Sequence, residues 1–525
     1  MAVGLTSALA AWVAGLHVED LPPAVVERAH LQTASVLGAV FAGARSDLLA
    51  RIRRAACRWG GRLDASVIPT GPRLPVHAAC YVNAAASVAF DFDDYLFAGH
   101  TGHSSVIGAL AWAEALGAPG RDVLVAQVAA NELGGRLGAA MLFGPHNGQM
   151  WTYIHALAGA TVGARFLGLD AERTTHAFGL ALAQPPWPLA PAFFGPDSKA
   201  LMVSGPLVDG FRAAELAAEG LTGAADILGD PQGFLAKLTE APLAFAFSGL
   251  GRAWLTESLT FKLYPGCAYV DTPVDAFEQI RAQCARKTGR CLAPEDIERI
   301  HVQATLFTVG MEMLAAPYRS RERLRAVDVN FSVALSFGVL VACGAITVEA
   351  LSEDSLAEHR ATILAVADRV TVEPDAELTK QVGGLGELGI QVGRYLAAHK
   401  GRLGARGDLV AEQLVVAEPS SSDDYQPSLD AADFSRFQMR FPARVTLITT
   451  AGEEFVAEQA IPLGGAGRPL AEVHAGVRDK FIRNARPHLG SDAEASLDIL
   501  MKLDEAADVR AVVDALLAPE ARRSP

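Results

Sequence analysis

No two cysteines of this chain stand in a C-x-x-C pair. Cys57, Cys80, Cys267, Cys284, Cys291 and Cys343 are scattered over its length. Scattered thiols do not build a zinc or iron–sulfur site, and unpaired ones fit a reducing cytoplasm. A glycine-rich phosphate loop is missing as well. These gaps lead to the expectation of a protein that works without metal or organic cofactor. Basic residues are in deficit: 45 Lys and Arg face 59 Asp and Glu, for a net charge of −14. Such a balance argues against nucleic acid and anionic membrane as partners and leaves a small molecule. The N-terminus, MAVGLTSALAAWVAGLHVED, has no basic stretch ahead of its apolar run, which a secretion signal would need. One uncharged run, Val329 to Val348, is long enough to span a bilayer. It contains Asn330, Ser332 and Ser336 and stands alone, so it reads as a buried helix.

What is present is apolar and small. Half the residues are hydrophobic, only 7% are aromatic, and 525 residues exceed a single core. Closely packed Ala-rich helices are the expected material. From residue 5 to about 250, apolar residues recur at helical spacing, punctuated by Gly and Pro. Pro23 opens one helix, Gly117 closes another, and Asp170 caps a third. In the middle, residues 299–307, 369–374 and 444–462 alternate or run β-branched and read as strands, with a hairpin turn near Ala451-Gly452. Residues 401–437 are Ser-, Asp- and Pro-rich and read as a surface insertion. Helical periodicity returns from 468. The fold class is mainly α: residues 1–267 and 464–525 form a helical domain, and 268–463 form a smaller α+β lid.

Three polar islands interrupt this background: Asp91, Asp93 and Asp94 followed by His100 and His103; Lys199; and Lys262. Carboxylates and a histidine can move protons, and lysines can hold a carboxylate. On the residues alone, Asp91, Asp93 and Asp94 read as capping and solvated acids at a helix end. His103 titrates near neutrality and is the expected base; His100 could substitute for it, and a two-His metal site is a weaker alternative. Lys199 is the only lysine before residue 237. Lys262 lies in an apolar setting that invites pairing with a carboxylate. Phe193, Phe194 and Trp187 crowd the approach to Lys199, and Trp151 and Tyr153 form a further aromatic group. They fit either lid packing or an apolar pocket for a bulkier substrate. His155, among Ala and Leu on a helix, is read as a satisfied core histidine.

The segments NAAASVAFDFDD, HSSVIGALAWAEALGAPGRDVLVAQVAANE, SKALMVSG and SLTFKLYPGCAYVDTPVDA resemble the MmgE/PrpD family in order and spacing. The resemblance implies a helical domain made from both chain ends, an α+β lid, a homodimer, and cofactor-free lyase chemistry on small di- and tricarboxylic acids in the intervening cleft. Asp91 matches the first Asp of the family's DFDDT motif, His103 its following histidine, Lys199 the Lys of K-x-L-x-x-G, and Lys262 that of FKPYP. The chain departs from the pattern at Tyr95 (Thr), Gln149 (His), Asp271 (His), Leu335 (Tyr) and Val88 (His). His146 is the candidate replacement for the histidine missing near 149. His103, Asp91, Lys199 and Lys262 are thus the expected catalytic residues. Tyr95, His100, His146, Trp151, Phe194 and Tyr264 are the expected substrate contacts. The expected activity is a lyase, a dehydratase or decarboxylase that abstracts a proton next to a carboxylate or carbonyl. An epimerase, isomerase or cyclase using the same carbanion, or a catalytically dead paralogue, are the alternatives.

Overall fold

The computed structural model describes residues 4–142, 152–186, 189–195, 197–239, 241–382 and 427–521, together with residues 388, 394, 401 and 408. Helices dominate. Pro23 sits at the start of helix Pro23–Gly43, where its missing N–H costs no bond. Gly117, at φ 67°, ends helix Gly102–Leu116, and Asp170 accepts from the Arg173 amide at 2.9 Å to cap Ala171–Ala181.

The helical body joins both ends of the chain. Helix Pro23–Gly43 packs on helix Leu470–Leu489, with Phe41 edge-on to Phe481 at 5.6 Å. Helices Thr152–Phe166 and Ser204–Ala218 cross where a side chain could not fit. A Cβ on Gly159 would lie 2.2 Å from the Leu207 carbonyl oxygen, and one on Gly210 would lie 2.2 Å from that of Ala156. This crossing fixes the segments bearing His155 and Lys199 against each other.

The strands of the middle region form one four-stranded sheet in the order Val370–Pro374, Ile297–Ala304, Ala443–Thr449, Glu454–Gln459. The first pair is parallel and the other pairings are antiparallel. Gly452, at φ 79°, supplies the hairpin turn. Ile300, Val302, Val445 and Leu447 point into an apolar core completed by helices Ala268–Thr288 and Val333–Cys343, whose Phe277 and Phe337 stack at 4.2 Å. That core also takes in Phe92, Phe193 and Phe194, so the sheet-bearing region grips the loops that carry the polar islands.

Three local expectations change. The run 329–348 is not one helix: it breaks at Phe331-Ser332, where the Ser332 hydroxyl caps the Leu335 amide of the next helix. No described helix is long and apolar enough to cross a membrane. Strand 299–307 stops at Ala304, and Thr305 caps helix Leu306–Ala315. Residues 427–437, expected on the surface, bury Leu429, Phe434 and Phe437 in the body core, with Phe97 edge-on to both rings. Polar neighbours in the sequence masked those three anchors. Of the rest of 401–437, only residues 401 and 408 are among the described ones.

Candidate active site

Helix Val76–Val88 ends just before the acidic island, and the chain then turns sharply. Asp91 adopts φ 52°, the left-handed region that non-glycine residues enter at a cost of about 1–3 kcal/mol. The turn is held from both sides. The Asp91 amide donates to the Val88 carbonyl at 2.9 Å, and the Asp91 carbonyl accepts from Lys262 Nζ at 3.0 Å and from the Gly266 amide at 3.3 Å. Asp94-Tyr95 then pairs with Thr260-Phe261 as a short antiparallel ladder, which brings Lys262 alongside.

Lys262 is fully buried. Its Nζ donates to the Asp91 carbonyl, to Asp91 Oδ1 at 3.1 Å and to Asp93 Oδ1 at 2.8 Å. Three ammonium hydrogens meet three acceptors, which leaves none for a substrate carboxylate. Lys199 Nζ reaches the same Asp91 Oδ1 at 3.1 Å and lies over the rings of Phe193 and Phe331. Burial opposes ionisation of Asp91, but Lys199 and Lys262 outweigh it and hold the carboxyl below its ordinary value. Asp93 is the hub. Besides Lys262, its Oδ2 meets His100 Nδ1 at 2.7 Å and His103 Nε2 at 2.8 Å. Burial again raises its pKa, and His103, Lys262 and His100 pull it well below the usual carboxylate range. The carboxylate that orients His103 is therefore Asp93, which looked like a solvated acid in the sequence. His103 Nδ1 also bonds the Ser87 hydroxyl at 2.7 Å. Burial keeps its pKa below the usual value despite Asp93.

A narrow cavity of about 30 Å³ opens beside this array. It is lined by Asp91, His100, His103, His155 and Lys199 and closed by Val88, Thr152, Phe193, Met202 and Val203. Such a volume admits water but not a multi-carbon acid, so binding a substrate requires the lining to part. Val88 faces this cavity where the family pattern carries a histidine. A larger groove of about 560 Å³, bordered by Trp59, His77, Tyr81 and Arg212, shares no residue with it.

The four expected catalytic residues are therefore brought together, but with different exposure to the cavity. Asp91, His103 and Lys199 line it, while Lys262 is sealed behind Asp91. Of the expected substrate contacts, His100 lines it. Tyr95, Phe194 and Tyr264 do not: they pack one layer away. The Tyr95 hydroxyl faces Asp271 at 3.4 Å, Phe194 stacks on Tyr318, and the Tyr264 hydroxyl donates to the Asp271 carbonyl and to Asp275 Oδ1. His146 and Trp151 lie outside the described residues.

Three side chains at or behind this array were passed over by the sequence reading: Asp93, His155 and Lys480. His155 lines the cavity with its ring edge-on to His103 at 6.4 Å, so its apolar helix face borders a cavity and not solid core. Thr152 three residues earlier, also facing the cavity, is the one local hint. Lys480, from helix Leu470–Leu489, is buried under the acidic loop. It donates to Ser35 Oγ at 2.8 Å and to the Phe92 carbonyl at 2.6 Å, and lies 4.3 Å from the Phe92 ring centre. Burial pulls its pKa down to about 7. No local pattern could have placed it there. Among the described residues, no cluster of three or more His, Cys, Asp and Glu side chains is arranged to hold a metal.

Residues 7–245 match the family model for the MmgE/PrpD N-terminal domain. Among curated proteins, a cis-aconitate decarboxylase of Aspergillus terreus is 27% identical over 319 residues, covering 57% of this chain and 64% of its own length. The Homo sapiens cis-aconitate decarboxylase is 27% identical over 315 residues, with 57% and 64% covered. The Mus musculus protein of the same name is 26% identical over 314 residues, with 57% and 63% covered. The chain thus matches less than two thirds of the length of these relatives.

Proposed function

Because this chain belongs to the MmgE/PrpD family, we propose that it is a lyase of the dehydratase or decarboxylase type that acts on a small carboxylic acid without metal or organic cofactor. One observation carries the reading: Lys199 and Lys262 share one oxygen of Asp91 at the edge of a cavity that three histidines line or approach. Lys199 is the cation that a substrate carboxylate can reach, by displacing part of its pairing with Asp91. Lys262 keeps Asp91 and Asp93 ionised and fixed. For loss of water, a histidine takes a proton from the carbon next to the bound carboxylate, and the electron pair left behind forms the double bond as the hydroxyl leaves with a proton from an acid. For loss of carbon dioxide, the electron pair of the breaking carbon–carboxylate bond stays on the substrate, and a protonated histidine supplies the proton that carbon takes up. In a closed cavity of this kind, fixed charges act with little solvent screening.

In this reading the sheet-bearing part of residues 268–463 moves as a lid over a body made of 1–267 and 464–525, with 427–437 anchored in the body core, and the protein is a cytoplasmic homodimer with a small-molecule partner only. Light scattering on the purified chain tests the dimer. The cis-aconitate decarboxylases lend a first substrate: incubation with cis-aconitate and with 2-methylcitrate, read by mass spectrometry, should show loss of carbon dioxide or water. Val88, which puts an apolar group in the cavity at a position of a family histidine, favours a second reading as an epimerase or isomerase. Deuterium entering the substrate from D2O with no mass lost would replace the first reading by the second. Neither loss nor exchange on any carboxylic acid tried would remove both.

A further inference from the structure

Three histidines border the cavity, and their ring nitrogens are not equally available. His100 is tied through Nδ1 to Asp93, which leaves its Nε2 without a hydrogen-bond partner among the described residues; it differs from His155 in being the more exposed ring, its side chain 13% accessible. His103 is tied at both nitrogens. Ionised Asp93 can only accept, so His103 Nε2 carries a hydrogen, and in the neutral ring the Nδ1 lone pair faces the Ser87 hydroxyl, whose one hydrogen is also within reach of the Ala84 carbonyl at 2.7 Å. To act as a base, His103 must abandon one of these bonds. His155 differs. Its Nδ1 lies 2.9 Å from Ser104 Oγ, and that hydroxyl also lies 3.1 Å from the Thr101 carbonyl. With the imidazole proton on Nδ1, both bonds form: Nδ1–H donates to Ser104, and Ser104 donates to Thr101. With the proton on Nε2, only one bond forms and a buried N–H is stranded. The first tautomer is therefore favoured by one hydrogen bond, and it leaves a lone pair on Nε2. Among the described residues that nitrogen has no hydrogen-bond partner, and the ring lines the same cavity as Lys199.

We infer that His155 is the catalytic base of this site: its Nε2 takes the proton from substrate held on Lys199, and His103 is a positioning residue that fixes Asp93. The assignment rests on the lyase reading above. The close crossing at Gly159, one helical turn beyond His155, holds the base rigidly against the helix that follows Lys199. The charged form of His155 is opposed by burial and then by His103 and His100, which keeps the ring neutral and ready to accept. In the loss of water, the proton it gains and the departing hydroxide leave together as water; in the loss of carbon dioxide, the same nitrogen relays one proton from solvent to the carbon that keeps the electron pair.

Two measurements test this on the full chain. Long-range proton–nitrogen spectra of histidine-labelled protein at neutral pH, assigned by the resonance lost in His155→Gln, should show hydrogen on Nδ1 and none on Nε2. A hydrogen on Nε2, or on both nitrogens, overturns the inference. In the second, turnover of cis-aconitate should fall on the order of 100-fold or more in kcat for His155→Gln, with KM and thermal midpoint little changed. Ser104→Ala, which frees the tautomer, should lose less and should shift protonation toward Nε2 in the same spectra. Should His155→Gln fail to fold, Ser104→Ala carries the test through that tautomer shift. Wild-type-like kcat in His155→Gln sinks the assignment while leaving the lyase reading intact. A wild-type protein that neither converts cis-aconitate nor exchanges its hydrogens removes that substrate, and the tautomer spectrum alone then decides on His155.

Discussion

Two pairs of buried carboxylates lie on either side of the Lys262 segment, and they are in opposite states. Asp91 and Asp93, in the loop after helix Val76–Val88, face Lys199, Lys262, His100 and His103 and are held ionised. Asp271 and Asp275, in the first two turns of helix Ala268–Thr288, face the phenols of Tyr95 and Tyr264 and each other. Burial raises both of the latter, Asp271 well above its ordinary value and Asp275 to about 7. A helix N-terminus favours a carboxylate's charge by a few tenths to 1 kcal/mol, and here that is not enough. All four residues are equally hidden, so burial alone does not set the charge. The partner's own charge does: an ammonium supplies a full positive charge, whereas a phenol supplies only a hydrogen bond. The first pair suits work on an anion. The second, whose carboxyls keep their protons to higher pH, is a hydrogen-bonding wall behind it.

Lys262→Met should break this contrast most severely. The substitution keeps the chain's length but leaves two carboxylates facing each other without the one cation that meets both. Removing one partner from a buried ion pair costs about 3–5 kcal/mol. Denaturant unfolding should show a loss of that size, together with loss of turnover. A loss under about 1 kcal/mol would mean that the two carboxylates are not ionised together.

Lys199→Met should be gentler on the fold, because Lys262 still holds Asp91, but severe for function. A substrate carboxylate left unpaired costs about 2–5 kcal/mol in kcat/KM. If kcat/KM stays near the wild-type value on an accepted substrate, Lys199 is not the anion site.

How much of this was legible in the sequence depended on distance along the chain. Helix starts and stops at Pro23, Gly117 and Asp170, and the strand alternation at 444–462, are local signals, and the structure follows them. Asp91, His103, Lys199 and Lys262 were singled out because each sits in a short motif, and the structure brings the four together. Asp93 was set aside because three acids in four residues look like a solvated turn; only the arrival of Lys262, 169 residues later, makes one of them a hub. Lys480 comes from the far end of the chain and has no local mark. His155 is buried and bonded to Ser104 as a core histidine would be, but its place beside a cavity was not legible, because an apolar helix face reads the same whether it meets packed side chains or a cavity. Tyr95, Phe194 and Tyr264 were placed one layer too close, since sequence proximity to a motif says nothing of depth.

Asp275→Asn should change how stability depends on pH. The folded-state pKa of about 7 lies above the ordinary 3.8, so the folded protein binds more protons than the unfolded chain between those values. The protonated carboxyl thus contributes stability that is fully present below about pH 3.8 and is lost as pH rises through about 7. The expected slope is up to about 1.4 kcal/mol per pH unit in that window. Asp275→Asn removes this slope; any offset from its amide facing the Leu463 N–H is constant in pH. Unfolding free energies at several pH values between 4 and 8 read the difference, and parallel curves for the two proteins would show that Asp275 is ionised throughout.

The smallest effect sharpens the same comparison. Tyr264 donates to the Asp271 carbonyl at 2.7 Å and to Asp275 Oδ1 at 2.9 Å. Tyr264→Phe keeps the ring and deletes that donor, leaving buried acceptors short of a partner at a cost of about 1–3 kcal/mol. The phenol's hydrogen bond also favours the charged form of Asp275, so its removal should raise the Asp275 pKa further. The folded protein would then hold its extra proton to higher pH, and the decline of stability should continue past the point at which the wild-type curve levels. If that levelling point does not move upward in Tyr264→Phe, the phenol is not tuning Asp275. Burial alone would then set the charge of the second pair, and the difference between the two pairs would rest only on the lysines and histidines of the first.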